Sequence, residues 1–382
     1  MEKIQMVNLT GQHKKIQTEL NKAIEQVIET SAFINGPDVK AFAAELEQYT
    51  GARHVIPCAN GTDALQIAMM ALNLKAGDEV IVPAFTYVAT AEVLGLLGLT
   101  IVMVDVNPHT FTVEAETIAK AITPKTKAIV PVHLFGQCAD MENILQLAEK
   151  HHLYVIEDTA QAIGAVYTFS NGMQKQAGTM GTIGTTSFFP SKNLGCMGDG
   201  GALFTNDEAL AQKIKMIAHH GQSTQYVHDV VGVNSRLDTL QAAILRVKLR
   251  HLTEYKKTRQ QLADVYDNAF AHHPNLKIPS RQPNSTHVFH QYTLQLCGIN
   301  RQELRDFLAE KEIPSMIYYP IPLHFQKAYE SSRYPKGSLP TTEILCACVL
   351  SLPISTELSD EQQQYIIKNI LTFCTTTQPI TN

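Results

Sequence analysis

The stretch Leu153-Tyr-Val-Ile-Glu-Asp-Thr-Ala-Gln-Ala-Ile-Gly164 runs four apolar or aromatic residues straight into two carboxylates and then into small residues. A short apolar run of this kind is a strand buried on both faces. Similar runs stand at His54–Pro57, Glu79–Pro83, Thr100–Val104 and Ala128–Val132. Helical segments separate them, such as Ala64–Leu74, whose Leu65, Ala68, Met69 and Leu72 share one face. Strands alternating with helices imply βαβ units and a mostly parallel sheet. The expected large α/β domain covers residues 1–250.

Upstream of the first strand, Ile16, Leu20, Ile24, Val27 and Ile28 recur at helical spacing, and Asn35-Gly-Pro-Asp38 starts a second helix. Downstream, one long helix is expected from Leu237 to Phe270. The remainder, 251–382, mixes a strand at Phe289–Leu296, a helix at Arg301–Lys311, a strand at Ser315–Tyr319 and a last helix at Asp360–Phe373. That pattern suggests a smaller α+β domain, against which the N-terminal helix is expected to pack.

Composition sets the bounds. The chain has 382 residues, 45% apolar and 18% charged, with a formal net charge of −5, a globular mix large enough for two cores. The absence of basic blocks argues against a nucleic-acid partner. No apolar run reaches membrane-spanning length, and Met1 to Leu20 has no apolar signal core. Seven cysteines, an odd number, read as reduced thiols, so a cytoplasmic location is expected. The pairs His151-His152, His219-His220 and His272-His273 point apart and make poor joint ligands, and Cys346-Ala-Cys348 lacks a second pair, so no metal is expected.

In a parallel sheet, ligands gather at the carboxyl ends of the strands. Asp158 stands at one such end, where a buried aspartate needs a cationic partner; a protonated pyridine nitrogen supplies one, and a helix N-cap is the alternative role. Ala59-Asn-Gly-Thr-Asp-Ala-Leu65 follows a strand and opens a helix. Its amides suit a phosphate, or the turn is a plain cap built on Asn60 or Thr62. Pro83-Ala-Phe-Thr-Tyr-Val-Ala-Thr90 offers Phe85 and Tyr87 as stacking faces. In Thr185-Thr-Ser-Phe-Phe-Pro-Ser-Lys-Asn-Leu-Gly-Cys-Met-Gly-Asp-Gly-Gly201, Lys192 sits between stiff apolar residues and a glycine-rich segment. Partial desolvation there disfavours its charged form, as Schiff-base chemistry requires; alone, the segment also fits a glycine turn with a solvated lysine. Phosphate cradle, aromatic face, carboxylate and isolated lysine together match the needs of pyridoxal phosphate.

The sequence resembles the DegT/StrS-type sugar aminotransferases, pyridoxal-phosphate enzymes of fold type I (aspartate-aminotransferase-like). The resemblance covers nearly the whole chain. It is carried by Cys58–Gln66, Val155–Asp158 with Gln161, Ser187–Gly195 and Gly232-Val-Asn-Ser-Arg-Leu-Asp-Thr-Leu-Gln241. It implies that Lys192 carries the cofactor as a Schiff base, that Asp158 pairs with the ring nitrogen, that Tyr87 stacks on the ring and that Gln161 lies beside it. Gly61, the Thr62 and Asp63 amides and the Ser187 hydroxyl would hold the phosphate. Asn234 would reach it from the neighbouring subunit of a homodimer with shared sites.

Gly232–Gln241, His133–Asp140 and Tyr319-Pro-Ile-Pro-Leu323 are most similar to enzymes aminating C3 of UDP-linked 3-oxo sugars, above all UDP-2-acetamido-2-deoxy-3-oxo-glucuronate, in O-antigen pathways. L-glutamate would be the amino donor, and Arg236, Tyr318 and Tyr319 would line the sugar side. Tyr318 stands where that subgroup is expected to carry histidine, and Arg236 also fits a structural arginine at a helix N-terminus. Relatives acting on dTDP-3-oxo-6-deoxyhexoses share most of these motifs. A non-catalytic regulatory protein on the same fold is a further reading, as is a deoxysugar dehydratase, whose family lysine is replaced by histidine.

Overall fold

The computed structural model describes residues 2–376. The central sheet holds β1 (His54–Cys58), β2 (Glu79–Pro83), β3 (Thr100–Val104), β4 (Thr126–Ile129) and β5 (Tyr154–Asp158). A hairpin of β6 (Val166–Thr168) and β7 (Gln174–Gln176) follows, and β8 (Ile183–Ser187) and β9 (Gly201–Thr205) complete the sheet. The strand order is β1-β9-β8-β5-β4-β2-β3. β9 pairs antiparallel with both its neighbours, while every other pairing is parallel, so β9 alone runs against the rest.

Twelve α-helices surround and extend this sheet among the described residues: α1 (Leu9–Lys15), α2 (Gln17–Thr30), α3 (Pro37–Thr50), α4 (Gly61–Ala71), α5 (Ala89–Leu96), α6 (Ala115–Ala119), α7 (Met141–Lys150), α8 (Glu208–Ala218), α9 (Thr239–Phe270), α10 (Arg301–Glu310), α11 (Pro340–Cys348) and α12 (Asp360–Thr376). Strand side chains alternate between two cores, as the period of two demands. Val80 and Val82 join Ala68 and Met69 of α4 on one face. Ile81, Val102 and Val104 join Ile118 and Ile144 on the other. Helices therefore cover both faces, and the strands read as unbroken apolar runs.

A second, three-stranded sheet is built from β12 (Leu276–Lys277), β13 (Tyr292–Leu296) and β14 (Val349–Leu352), after a short hairpin of β10 (Gln222–Thr224) and β11 (Val227–His228). Its core takes Leu262, Tyr266 and Phe270 from the far half of α9. The near half of α9 packs Ala242, Leu245 and Leu249 against Phe42 and Leu46 of α3. The position expected as a boundary, residue 250, falls inside this continuous helix. Leu20 of α2 packs on Ile244 and Val247 of α9. Before α1, the Asn8 N–H donates to Ser355 Oγ at 2.9 Å, and Ile4 enters the core of the second sheet.

Three expected elements differ. Ser315–Tyr319 makes no strand: Met316 exchanges both backbone bonds with Ser351 and nothing beside it pairs. Pro314 and Pro320, which lack N–H donors, bracket the segment. The strand expected from Phe289 begins at Tyr292, because Phe289 takes a left-handed backbone at φ 47°. β4 starts two residues early and ends at Ile129, with Val132 meeting Asp158 only as an isolated bridge. No helix of the described residues is long and apolar enough to cross a membrane.

Candidate active site

A cavity of about 640 Å³ opens at the carboxyl ends of β2, β5 and β8 and at the start of α4. Gly61, Thr62, Tyr87, Asp158, Gln161, Ser187, Lys192, Tyr318 and Tyr319 all line it. Nine residues chosen from five separated segments thus meet in one place.

The start of α4 is built by close approach. A Cβ on Gly61 would lie 2.7 Å from the Ser187 Cβ, and one on Gly201 would lie 2.5 Å from the Asn60 carbonyl group. Only glycine lets β8, β9 and the helix start meet so tightly. Gly61 and Thr62 precede the first intrahelical bonds, so their N–H groups face outward with the positive end of the helix dipole. Asp63 differs from expectation. Its N–H donates to the Asn60 side chain at 2.8 Å, so the cap and the cradle share this turn, and the Asp63 amide serves the cap.

Lys192 follows β8 on a turn closed by its N–H to the Phe189 carbonyl at 2.8 Å. Burial pulls its ammonium down to about 8, and the charge of Asp158 pulls the other way. Asp158 ends the neighbouring strand β5. Its Oδ1 accepts from the Ala160 N–H at 3.1 Å, and its Oδ2 accepts from the Thr90 hydroxyl at 3.0 Å. Gln161 is fixed at both ends: Oε1 accepts from the Phe135 N–H at 2.8 Å, and Nε2 donates to the Tyr319 hydroxyl at 3.0 Å. Of the two aromatic candidates, Phe85 is in the core and Tyr87 is 58% exposed, with its ring centroid 6.2 Å from that of Tyr319. Burial pushes the Tyr318 and Tyr319 phenols up, opposed by hydrogen bonds from Gln291 and Gln161 respectively.

The end of β5 is anchored from behind by a fully buried pair. His133 Nδ1 accepts from the Ala139 N–H at 3.1 Å, so its proton sits on Nε2, which donates to Glu157 at 2.9 Å. Glu157 also accepts from the Gly178 and Met180 N–H groups at 2.8 and 2.7 Å. Every lone pair that burial would otherwise penalise has a donor. The adjacent Asp158 backbone is held in both directions, its N–H to Pro131 and its carbonyl from His133, each at 3.0 Å.

Two expected residues lie elsewhere. Asn234 is exposed and bridges His219, and the Arg236 guanidinium stands 3.4 Å from His219 Nδ1. Arg236 lines a separate groove of about 1060 Å³ along α3 and α8. Among the described residues, no arginine lines the Lys192 cavity. It does contain residues that sequence reasoning missed. His290 and Gln291 enter from the loop read as the start of a strand. Burial, then the charges of Lys192 and Arg259, hold the His290 imidazole well below the usual histidine range. Behind the cavity wall, Thr90 holds Asp158, yet a lone hydroxyl among apolar helix residues carries no pattern.

The fold and the cavity define an aminotransferase of pyridoxal-phosphate fold type I. The chain belongs to the DegT/DnrJ/EryC1/StrS aminotransferase family, whose family model matches residues 14–371. Three relatives are each 44% identical. They are a pleiotropic regulatory protein of Geobacillus stearothermophilus, matched over 97% of this chain and 98% of its own; a UDP-2-acetamido-2-deoxy-3-oxo-D-glucuronate aminotransferase of Pseudomonas aeruginosa, over 92% and 95%; and a UDP-N-acetyl-3-dehydro-α-D-glucosamine 3-aminotransferase of Acidithiobacillus ferrooxidans, over 94% and 95%. The crystal structure of S. venezuelae DesV superposes with a TM-score of 0.94 at 36% identity, covering 99% of this chain and 100% of that one. NtdA of Bacillus subtilis, crystallised with its cofactor PMP, gives 0.87 at 31% identity over 97% and 83%. Fold, enzyme class and cofactor stand as the sequence implied: an aminotransferase that uses pyridoxal phosphate.

Proposed function

We propose that this enzyme moves an amino group from L-glutamate to C3 of UDP-2-acetamido-2-deoxy-3-oxo-glucuronate, in the cytoplasm, as a step toward surface polysaccharide such as O-antigen. The observation that carries the chemistry is the meeting of Lys192, Asp158 and the glycine-built start of α4 in one cavity. The substrate is supported by the 44% identity to the P. aeruginosa enzyme. Intact Lys192 and Asp158 favour turnover over a purely regulatory role.

The residues present fit the cofactor. Gly61, Thr62 and the Ser187 hydroxyl would hold its phosphate, Asp158 its ring nitrogen, Tyr87 its ring face and Gln161 its edge. Pyridoxal phosphate, when bound, supplies the electron sink for breaking the C–H bond of the amino donor. The chain supplies the proton handling at Lys192 Nζ. At its ordinary value of 10.5, roughly one lysine in three hundred would be a free amine at pH 8; at about 8, about half are. A neutral Nζ can accept the proton from the donor carbon and return it to the new amine-bearing carbon. Gln161 keeps the Tyr319 hydroxyl on the substrate side.

The assembly belongs to this reading. The β10–β11 hairpin displays Tyr226 at 84% exposure, and the segment that leads from it to Asn234 and Arg236 displays Val231 at 85%. Apolar side chains so exposed, next to residues that miss their own cavity, support a homodimer in which each hairpin brings Asn234 and Arg236 to the partner's site. The relative from A. ferrooxidans favours a second reading, the neutral C6 alcohol of the same UDP sugar; dTDP-3-oxo-6-deoxyhexoses are a third. The test is the reverse reaction: purified enzyme, 2-oxoglutarate and each 3-amino sugar nucleotide, with glutamate formation as readout. Faster turnover of the UDP-3-amino-uronate is expected. A preference for a dTDP sugar or for the neutral UDP sugar overturns the uronate assignment.

A further inference from the structure

Thr90 lies on the first turn of α5, 1% exposed, between the buried apolar residues Ala89 and Ala91. A hydroxyl in that setting needs a partner. It has one: Oγ1 donates to Asp158 Oδ2 at 3.0 Å, across 68 residues of sequence. The other carboxylate oxygen, Oδ1, accepts from the Ala160 N–H at 3.1 Å. One donor on each oxygen, from two separate elements, fixes the plane of the carboxylate. Ala160 is a local contact two residues away and moves with Asp158. Thr90 is the tie to an independent element, and its own N–H returns to the Tyr87 carbonyl at 3.4 Å. The same turn therefore carries the aromatic face of the cavity and the group that aims its carboxylate.

We propose that Thr90 is a positioning residue that aims the Asp158 carboxylate at the cofactor's ring nitrogen and thereby keeps that nitrogen protonated. This rests on the role of Asp158 given under Proposed function. Thr90 touches neither substrate nor cofactor in this reading; it acts through Asp158. Valine keeps the shape of threonine and removes only the donor, while serine keeps the donor. A hydrogen bond to a charged group is lost in T90V, so kcat should fall roughly ten- to hundredfold, with the KM for the amino donor little changed. T90S should recover most of the rate.

The experiment loads wild type, T90V, T90S and D158N with nitrogen-15-labelled pyridoxal phosphate and reads the ring-nitrogen chemical shift by NMR, beside kcat and the melting temperature of each apo-protein. The expected result is a T90V signal displaced toward that of D158N, with T90S at the wild-type position. A role confined to packing would lower the melting temperature and leave the nitrogen signal where it was. A T90V protein with the wild-type signal overturns the proposal, whatever its rate. If D158N also keeps the wild-type signal, the role assigned to Asp158 itself fails. Should T90V not fold, T90A provides the same comparison with the donor absent.

Discussion

Lys192 and Asp158 stand at the same end of two adjacent parallel strands, and the Asp158 charge partly restores the ammonium that burial suppresses in Lys192. A lysine that is half-buried, close to one carboxylate and poised near 8 has the properties of a covalent anchor and a proton carrier. Borohydride reduction of the yellow holoenzyme should fix the cofactor to the peptide containing Lys192. K192A should fold and show no turnover. Label on another lysine would remove Lys192 from its role.

The same burial has a stability consequence with a definite sign. The folded protein holds Lys192 at about 8 against an ordinary 10.5. Between those values the unfolded chain binds the proton and the folded chain does not, so the contribution of Lys192 to stability rises with pH across that window. Below about 8 the full penalty remains, at most roughly 3 kcal/mol. The apo-protein of K192M should therefore melt higher than the wild-type apo-protein at pH 7. Its advantage should shrink as pH rises from 8 toward 10.5. A difference independent of pH would mean that Lys192 is solvated.

Asp158 carries the next expectation. As asparagine it offers no charge to a ring nitrogen, while Lys192 is untouched. D158N should be coloured and slower by roughly a hundredfold, the scale of one lost charge-assisted bond of about 3 kcal/mol. Wild-type rate in D158N would leave Asp158 as the partner of Ala160 and Thr90 alone.

How far the sequence carried can be seen at particular residues. β2 and β3 begin and end where expected, because Val- and Ile-rich runs buried on both faces are continuous and their ends are marked by turn residues. The lysine, the carboxylate and the glycine turn were legible because each breaks a pattern at a strand end. The cap on Asn60 was legible as one of two roles for this turn, and what the spacing left open was that cap and cradle coexist, Asn60 taking the Asp63 amide. His290 and Gln291 reach the cavity, and Thr90 reaches Asp158 behind its wall, through tertiary packing, from segments whose local pattern speaks only of helix or strand. Ser315–Tyr319 has strand-like composition, yet only Met316 finds a backbone partner.

The placing of Arg236 outside its own chain's cavity makes a prediction about assembly. If each site borrows Arg236 from a partner, K192A homodimers are inactive and R236A homodimers are slowed roughly ten- to a hundredfold on the UDP-3-amino-uronate, for different reasons. A hybrid of the two then contains one site with Lys192 and Arg236 both intact. After subunit exchange, the mixture should rise above the sum of the two variants on the UDP-3-amino-uronate, toward roughly a quarter of the wild-type rate, since random pairing makes about half the dimers hybrids and each hybrid has one intact site of two. No recovery, with exchange verified by mass spectrometry of the mixed dimer, would place Arg236 outside any shared site.

The substrate's C6 group gives the sharpest test of specificity. A uronate brings a carboxylate, and no arginine among the described residues of the cavity's own chain lines it; its walls present the phenols of Tyr318 and Tyr319 and the amide of Gln291. Burying that carboxylate without a cation would be costly, so a uronate enzyme needs Arg236 and an enzyme for the neutral sugar does not. A charge-assisted hydrogen bond contributes roughly 1.5–3 kcal/mol, or about ten- to a hundredfold in rate. R236A should therefore lose that much more kcat/KM on the UDP-3-amino-uronate than on the neutral UDP-3-amino sugar, both measured in reverse with 2-oxoglutarate. Equal losses on the two would show that Arg236 does not read the carboxylate, because only a group that meets the charge can distinguish substrates differing at that one carbon.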